Sequence, residues 1–128
     1  MKRRDFLKVA AAASLTGCAG SAAPSRARVV VIGGGFGGAT AAKYLRMWDP
    51  SIDVVLVERE AQFTSCPISN LVLGGFTTMQ DISHGYDGLR RRGVRVVRDD
   101  AVAVDPAKKT VRLARGGEIG RASCRERV

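Results

Sequence analysis

Six residues, Gly33-Gly34-Gly35-Phe36-Gly37-Gly38, stand between a β-branched run, Arg28-Val29-Val30-Val31-Ile32, and a segment with apolar residues at Ala41, Ala42, Leu45 and Trp48. An apolar run without alternation reads as a parallel strand buried on both faces. The later spacing predicts a helix with one apolar face. Strand, glycine turn and helix in this order restrict the chain to an α/β fold. In G-x-G-x-x-G the three glycines serve different ends. Gly33 turns the chain out of the strand, Gly35 lets a pyrophosphate approach the backbone, and Gly38 lets the helix pack on the strand. Gly34, Phe36 and Gly37 complete the cradle, with the phosphates on the helix N-terminus.

After a break at Asp49-Pro50, Asp53-Val54-Val55-Leu56-Val57 predicts a second strand ending at Glu58, twenty positions after Gly38. A carboxylate there can accept hydrogen bonds from the adenosine ribose, so residues 28–58 are expected to form a βαβ unit for an adenine dinucleotide. Arg59 joins Glu58 in the candidate set. The fingerprint leaves FAD and NAD both open. Its position directly behind a leader and linker favours FAD, because FAD-first order is usual in flavoproteins with two dinucleotide domains.

The 128 residues carry a formal charge of +9. Between Arg26 and Glu118, however, there are 14 basic and 10 acidic residues, and no aromatic and basic interleaving accompanies them. Nucleic-acid binding is therefore not expected. The longest apolar run, Val9 to Ala13, is far short of a membrane span. Cys18, Cys66 and Cys124 lack disulfide or zinc spacing, so no metal site is expected.

Arg3-Arg4-Asp5-Phe6-Leu7-Lys8 and the Ala-rich stretch behind it resemble a twin-arginine export signal, expected over residues 1–18. That predicts a periplasmic protein, exported folded with its cofactor in place. Leu15-Thr16-Gly17-Cys18 also looks like a lipobox, which would make Cys18 a lipid anchor; cleavage within Ala19 to Ala23 is the alternative. Residues 19–27 read as a linker.

Further along, Phe63-Thr64-Ser65-Cys66-Pro67-Ile68-Ser69-Asn70, His84-Gly85-Tyr86-Asp87-Gly88-Leu89, Gly93-Val94 and Val104-Asp105-Pro106 resemble the FAD-binding subunit of flavocytochrome c sulfide dehydrogenase. Gly37 to Tyr44 and Asp49 to Ile52 share the likeness. The resemblance implies the N-terminal part of a Rossmann-like FAD-binding domain of the two-dinucleotide-domain type. It implies FAD attached covalently through a thioether at Cys66, with Pro67 standing where a bulkier residue is expected. It also implies a backbone contact from Ala101 to the adenine, sulfide as substrate and a c-type cytochrome subunit as partner. His84 is expected to be structural.

Arg90-Arg91-Arg92 suits the C-terminal end of a short helix. Arg95 to Arg98, Ala101 to Asp105 and Thr110 to Leu113 read as strands, with a turn at Pro106 to Lys109. The catalytic residues are not identified, because the family's redox cysteines have no counterpart here. Residues 28–118 are expected to be a truncated FAD domain that does not hold FAD firmly alone, and 119–128 a non-native tail. A related sulfide:quinone or pyridine-nucleotide flavoprotein and an inactive dinucleotide-binding module are the alternatives.

Overall fold

The computed structural model describes residues 27–120. The expected export signal, the candidate lipid site at Cys18, the linker up to residue 26 and the tail from 121 lie outside the described residues.

The chain runs through β1 (Ala27–Ile32), α1 (Phe36–Trp48), β2 (Ile52–Val57), β3 (Gln62–Thr64), a 3-10 turn (Cys66–Ile68) and α2 (Ser69–Leu73). It continues through β4 (Ser83–Gly85), α3 (Asp87–Arg90), β5 (Arg95–Val97), β6 (Ala101–Asp105), β7 (Thr110–Leu113) and β8 (Glu118–Ile119). Strands β1, β2 and β5 form a parallel sheet with β2 at its centre. Strands β6, β7 and β8 make an antiparallel meander, and β3 pairs with β4 as a small ribbon.

The side-chain alternation of a strand divides β2 between two cores. Val54 and Leu56 pack with Ala42 of α1, Leu89 of α3, Tyr86 and Val94. Val55 and Val57 pack with Val111 and Leu113 of β7, and Val30, Val97, Ala101 and Ile119 close over them. The layers are therefore helices, parallel sheet and meander. A strand covered on both faces can be apolar at every position, which is why Val54 to Val57 does not alternate.

β1 differs from expectation. Its central valines are half-buried and Ile32 is 51% exposed. Among the described residues β1 pairs with β2 alone, so its other edge is open. The expected apolar face of α1 also needs correction: Ala42 is fully buried and Leu45 packs beside it, but Ala41 is exposed and Trp48 is 78% exposed. Trp48 lies six residues beyond Ala42, about 120° around the helix. It packs instead on the Tyr44 ring, centroid to centroid 5.4 Å.

The Asp49-Pro50 break ends α1 as expected. Asp49 is extended, and its carboxylate accepts bonds from the Ser51 amide at 2.8 Å and hydroxyl at 2.6 Å. Arg46 in the last turn donates to the Pro50 and Ile52 carbonyls and so ties the helix end to the start of β2. β5 ends at Val97, one residue short of the expected strand, and the arginine run stands at the C-terminal end of α3 as expected, Arg90 being its last residue, paired to Asp87 at 2.9 Å. The tail boundary expected at Ile119 falls inside β8. There Ile119 pairs with Val111, and the Gly120 carbonyl accepts a bond from Arg28 at 3.2 Å.

The contrast between Leu56 and Trp48 is testable by urea unfolding of the purified chain. Leu56→Ala, at a fully buried position, is expected to cost about 2–5 kcal/mol. Trp48→Gln should change stability by no more than about 0.5 kcal/mol.

Candidate cofactor site

The C-terminal ends of β1 and β2 meet at the glycine turn. Gly33 leaves β1 with φ +94°, a conformation open to glycine at little cost, and its amide donates to the Val57 carbonyl at 2.9 Å. Gly38 is required for a different reason. A Cβ there would collide with the Gly33 carbonyl oxygen and stand 3.3 Å from Val31 Cγ1, so α1 lies on the turn with no room for a side chain.

Gly35 precedes α1 in an extended conformation and no side chain caps the helix. The first-turn amides of any helix lack intrahelical partners. Side chains leave room at two of these positions: among the described residues, a Cβ at Gly35 would meet only Phe63 Cε2 at 3.8 Å, and at Gly37 nothing within 4 Å. No acidic residue lies in the first turn, so the electropositive end of the helix faces no opposing carboxylate from its own sequence. Phe36 is 56% exposed, with its ring edge-on to Phe63 at 4.7 Å.

Glu58 directly follows β2, its amide bonded to the Val97 carbonyl at 3.0 Å. Its carboxylate accepts from the Gly34 amide at 2.6 Å and the Glu60 amide at 2.9 Å. Burial pushes this carboxyl up, but the amides of Glu60, Gly34 and Arg59 together with the Arg59 charge outweigh it and hold the pKa below the usual carboxylate value. The result is an ionised acceptor joined to the second residue of the glycine turn. Arg59 is exposed, 3.9 Å from Glu60, and its carbonyl accepts from Arg98 at 3.4 Å.

Cys66 opens the 3-10 turn with Pro67 behind it, and its thiol is exposed, 4.0 Å from the Thr64 carbonyl. The segment is anchored on either side. The Ser65 amide donates to the carbonyl of buried Ile82, and the Ser69 hydroxyl to the Cys66 carbonyl at 2.8 Å. Ala101 begins β6 opposite Leu113 and packs against the core formed by Val55, Val57, Val111 and Leu113. His84 is exposed in β4 opposite Phe63.

The structure therefore joins Gly33, Gly34, Gly35, Gly38 and Glu58 at one end of the sheet, with Phe36 linked through Phe63 to the ribbon that leads into Cys66. Sequence reasoning missed Tyr86. It is 5% exposed and lies against Gly34, where a Cβ would stand 2.6 Å from Tyr86 Cζ. Burial, then the charges of Glu58 and Glu60, push its phenol above the ordinary range. Tyr86 falls within one of the segments that resemble the flavocytochrome family, yet no spacing ties it to the glycines.

The family model of the pyridine nucleotide-disulphide oxidoreductases matches residues 27–122. The chain belongs to that family. Over 45 residues it is 67% identical to the flavoprotein chain of sulfide dehydrogenase [flavocytochrome c] from Chlorobaculum thiosulfatiphilum, 35% of this chain and 94% of that sequence. It is 36% identical over 93 residues to the type II NADH:quinone oxidoreductase NdhA of Mycobacterium tuberculosis, covering 71% of this chain and 19% of that enzyme. Among solved structures, the sulfide:quinone oxidoreductase of Aquifex aeolicus superposes with a TM-score of 0.68 at 30% identity, over 73% of this chain and 22% of that one. The fold is accordingly α/β, part of a Rossmann-like dinucleotide domain, and the chain spans about a fifth of these two longer enzymes. Among the described residues no helix is long and apolar enough to cross a membrane.

Glu58 gives a pH test whose sign follows from its lowered pKa. A carboxyl depressed by folding contributes stability that is present above its unfolded value, about 4.5, and is lost as pH falls through the folded value. The stability gap between wild type and Glu58→Gln should therefore be constant from pH 6 to 8 and shrink below about pH 4.5 in urea melts. A gap that widens on acidification contradicts the assignment.

Proposed function

We propose that this chain is the first part of an FAD-dependent oxidoreductase and holds the adenosine diphosphate half of the cofactor. The observation carrying the proposal is the Glu58 carboxylate, ionised and bonded to the Gly34 amide of the glycine turn, directly before a helix whose first turn holds no acidic residue and no capping side chain. An acceptor for ribose hydroxyls and a cradle for phosphates are the two groups an adenine dinucleotide needs, at the separation the βαβ unit sets. Gly33, Gly34, Gly35, Phe36, Gly37 and Gly38 would hold the pyrophosphate, Glu58 and Arg59 the ribose, and the Ala101 backbone the adenine. Bound there, the flavin supplies the electron-accepting group.

The likeness to the Chlorobaculum flavoprotein chain supports a finer reading, in which the parent enzyme oxidises sulfide and passes electrons to a c-type cytochrome subunit; the twin-arginine-like residues Arg3 to Lys8 would place it in the periplasm. Cys66 is the residue for a thioether to the flavin. Its exposed thiol stands on a segment braced by Ile82 and Ser69, so it is presented to a ligand instead of packed into a core. The Aquifex likeness favours a second reading, a quinone as electron acceptor.

Two measurements on the full-length protein decide between them. After acid precipitation, flavin should remain in the wild-type pellet and leave the Cys66→Ala pellet colourless. Complete release from wild type overturns the thioether. Sulfide-dependent reduction of a c-type cytochrome but not of a soluble quinone is expected; the opposite pattern establishes the second reading.

A further inference from the structure

Gly34 is a fingerprint position that G-x-G-x-x-G leaves open to any residue, and its backbone does not require glycine, because its φ lies outside the left-handed region occupied by Gly33, Gly75, Gly93 and Gly116. What excludes a side chain is Tyr86. A Cβ on Gly34 would collide with the phenol oxygen and stand 2.6 Å from Cζ and 2.7 Å from Cε1. The ring cannot easily swing aside. It is 5% exposed in the core formed by Ala42, Val54, Leu56, Leu89 and Val94, and its own carbonyl anchors α3 by accepting from the Leu89 and Arg90 amides at 3.0 and 3.1 Å. Gly34 in turn is the residue whose amide bonds Glu58 at 2.6 Å.

We propose that Tyr86 is a positioning residue of the dinucleotide site: its ring is the wall on which Gly34 is seated, and through the Gly34 amide it sets where the Glu58 carboxylate stands. This rests on the dinucleotide reading above. It also gives the His84-Gly85-Tyr86-Asp87 segment a role, because the β3 and β4 ribbon brings Phe63 onto Phe36 while Tyr86, the next residue after β4, reaches Gly34. Two neighbouring points of the glycine loop are thus held from one ribbon. Alanine at position 34, which lacks only the room for its methyl group, would displace the amide there from Glu58 or force the ring out of the core.

The test is a double-mutant cycle on the purified chain, with ADP as the probe in calorimetric titration and thermal unfolding as a parallel reading. Gly34→Ala is expected to weaken ADP binding at least tenfold. Tyr86→Leu shortens the wall and lowers the melting temperature through the core. The combined variant should bind ADP at least fivefold more tightly than Gly34→Ala although its core has lost the ring. Affinity and stability would then move in opposite directions, which a purely structural role cannot produce. Should Tyr86→Leu fail to fold, Tyr86→Phe removes the phenol oxygen that a Cβ at Gly34 would meet first and keeps Cζ and Cε1, so in the Gly34→Ala background it is expected to tighten ADP binding at least twofold while staying short of wild type. The proposal is overturned if Gly34→Ala binds ADP within twofold of wild type, or if neither Tyr86→Leu nor Tyr86→Phe tightens ADP binding in the Gly34→Ala background. Absence of ADP binding by the wild-type chain would instead overturn the dinucleotide reading, and the melting cycle would still decide the contact: additive losses refute it.

Discussion

The approach of Gly38 to the Gly33 carbonyl is the contact on which the rest of the architecture depends. With no side chain at Gly38, α1 can begin directly on the turn that leaves β1, and Ala42 one helical turn later is drawn into full burial against Val54 and Leu56. Any Cβ would lift the helix off the sheet, and the loss would propagate along α1 because close-packed interiors transmit displacement instead of absorbing it. The same contact seats the first turn of α1 beside the end of β1, so the packing of the helix and the shape of the glycine turn share one constraint.

A second consequence is the division of labour within β2. Each residue from Val54 to Val57 is buried, but alternate ones serve different layers, so the strand joins the helix core to the meander core. Glu58 is the first residue after this clamp. Its amide is fixed to Val97 and its carboxylate to Gly34 and Glu60, so both ends of the residue are determined by neighbours. Such an acceptor loses little freedom on meeting a ligand, which lowers the ordering cost of binding.

The βαβ unit was legible because its signals are local: a β-branched run, glycines at fixed offsets, an Asp-Pro break and a carboxylate at the second strand end. Burial within those elements was less so. The sequence around Trp48 keeps an apolar spacing, yet its ring lies on the outer side with Tyr44, since periodicity reports which residues share a face and not whether anything covers it. Strands β3 and β4 were invisible for another reason. Each is three residues long and they pair across about twenty positions, with Gln62 opposite Gly85, so neither alternation nor a short turn marks them. Tyr86 was hidden by the same distance, for its contact with Gly34 spans 52 positions and appears only once the ribbon is folded over the loop.

The two ends of the parallel sheet are finished in opposite ways, and this separates stability from binding. At the end where β1 and β2 begin, Asp53 receives Arg28 at 2.6 Å and Arg95 of β5 at 3.3 Å, one carboxylate bridging all three strands. The charges there are consumed within the protein, and the Arg28 guanidinium continues to the Gly120 carbonyl, tying the last strand of the meander to the first strand of the sheet. At the other end, among the described residues, no arginine closes on Glu58 in the same manner; backbone amides hold it, leaving oxygen lone pairs still able to accept. A carboxylate held by amides has no opposite charge closed on it, whereas that of Asp53 is matched by two guanidinium groups on one oxygen. The ion-paired end ties the three strands together, and the amide-held end is the one at which the proposed dinucleotide site lies.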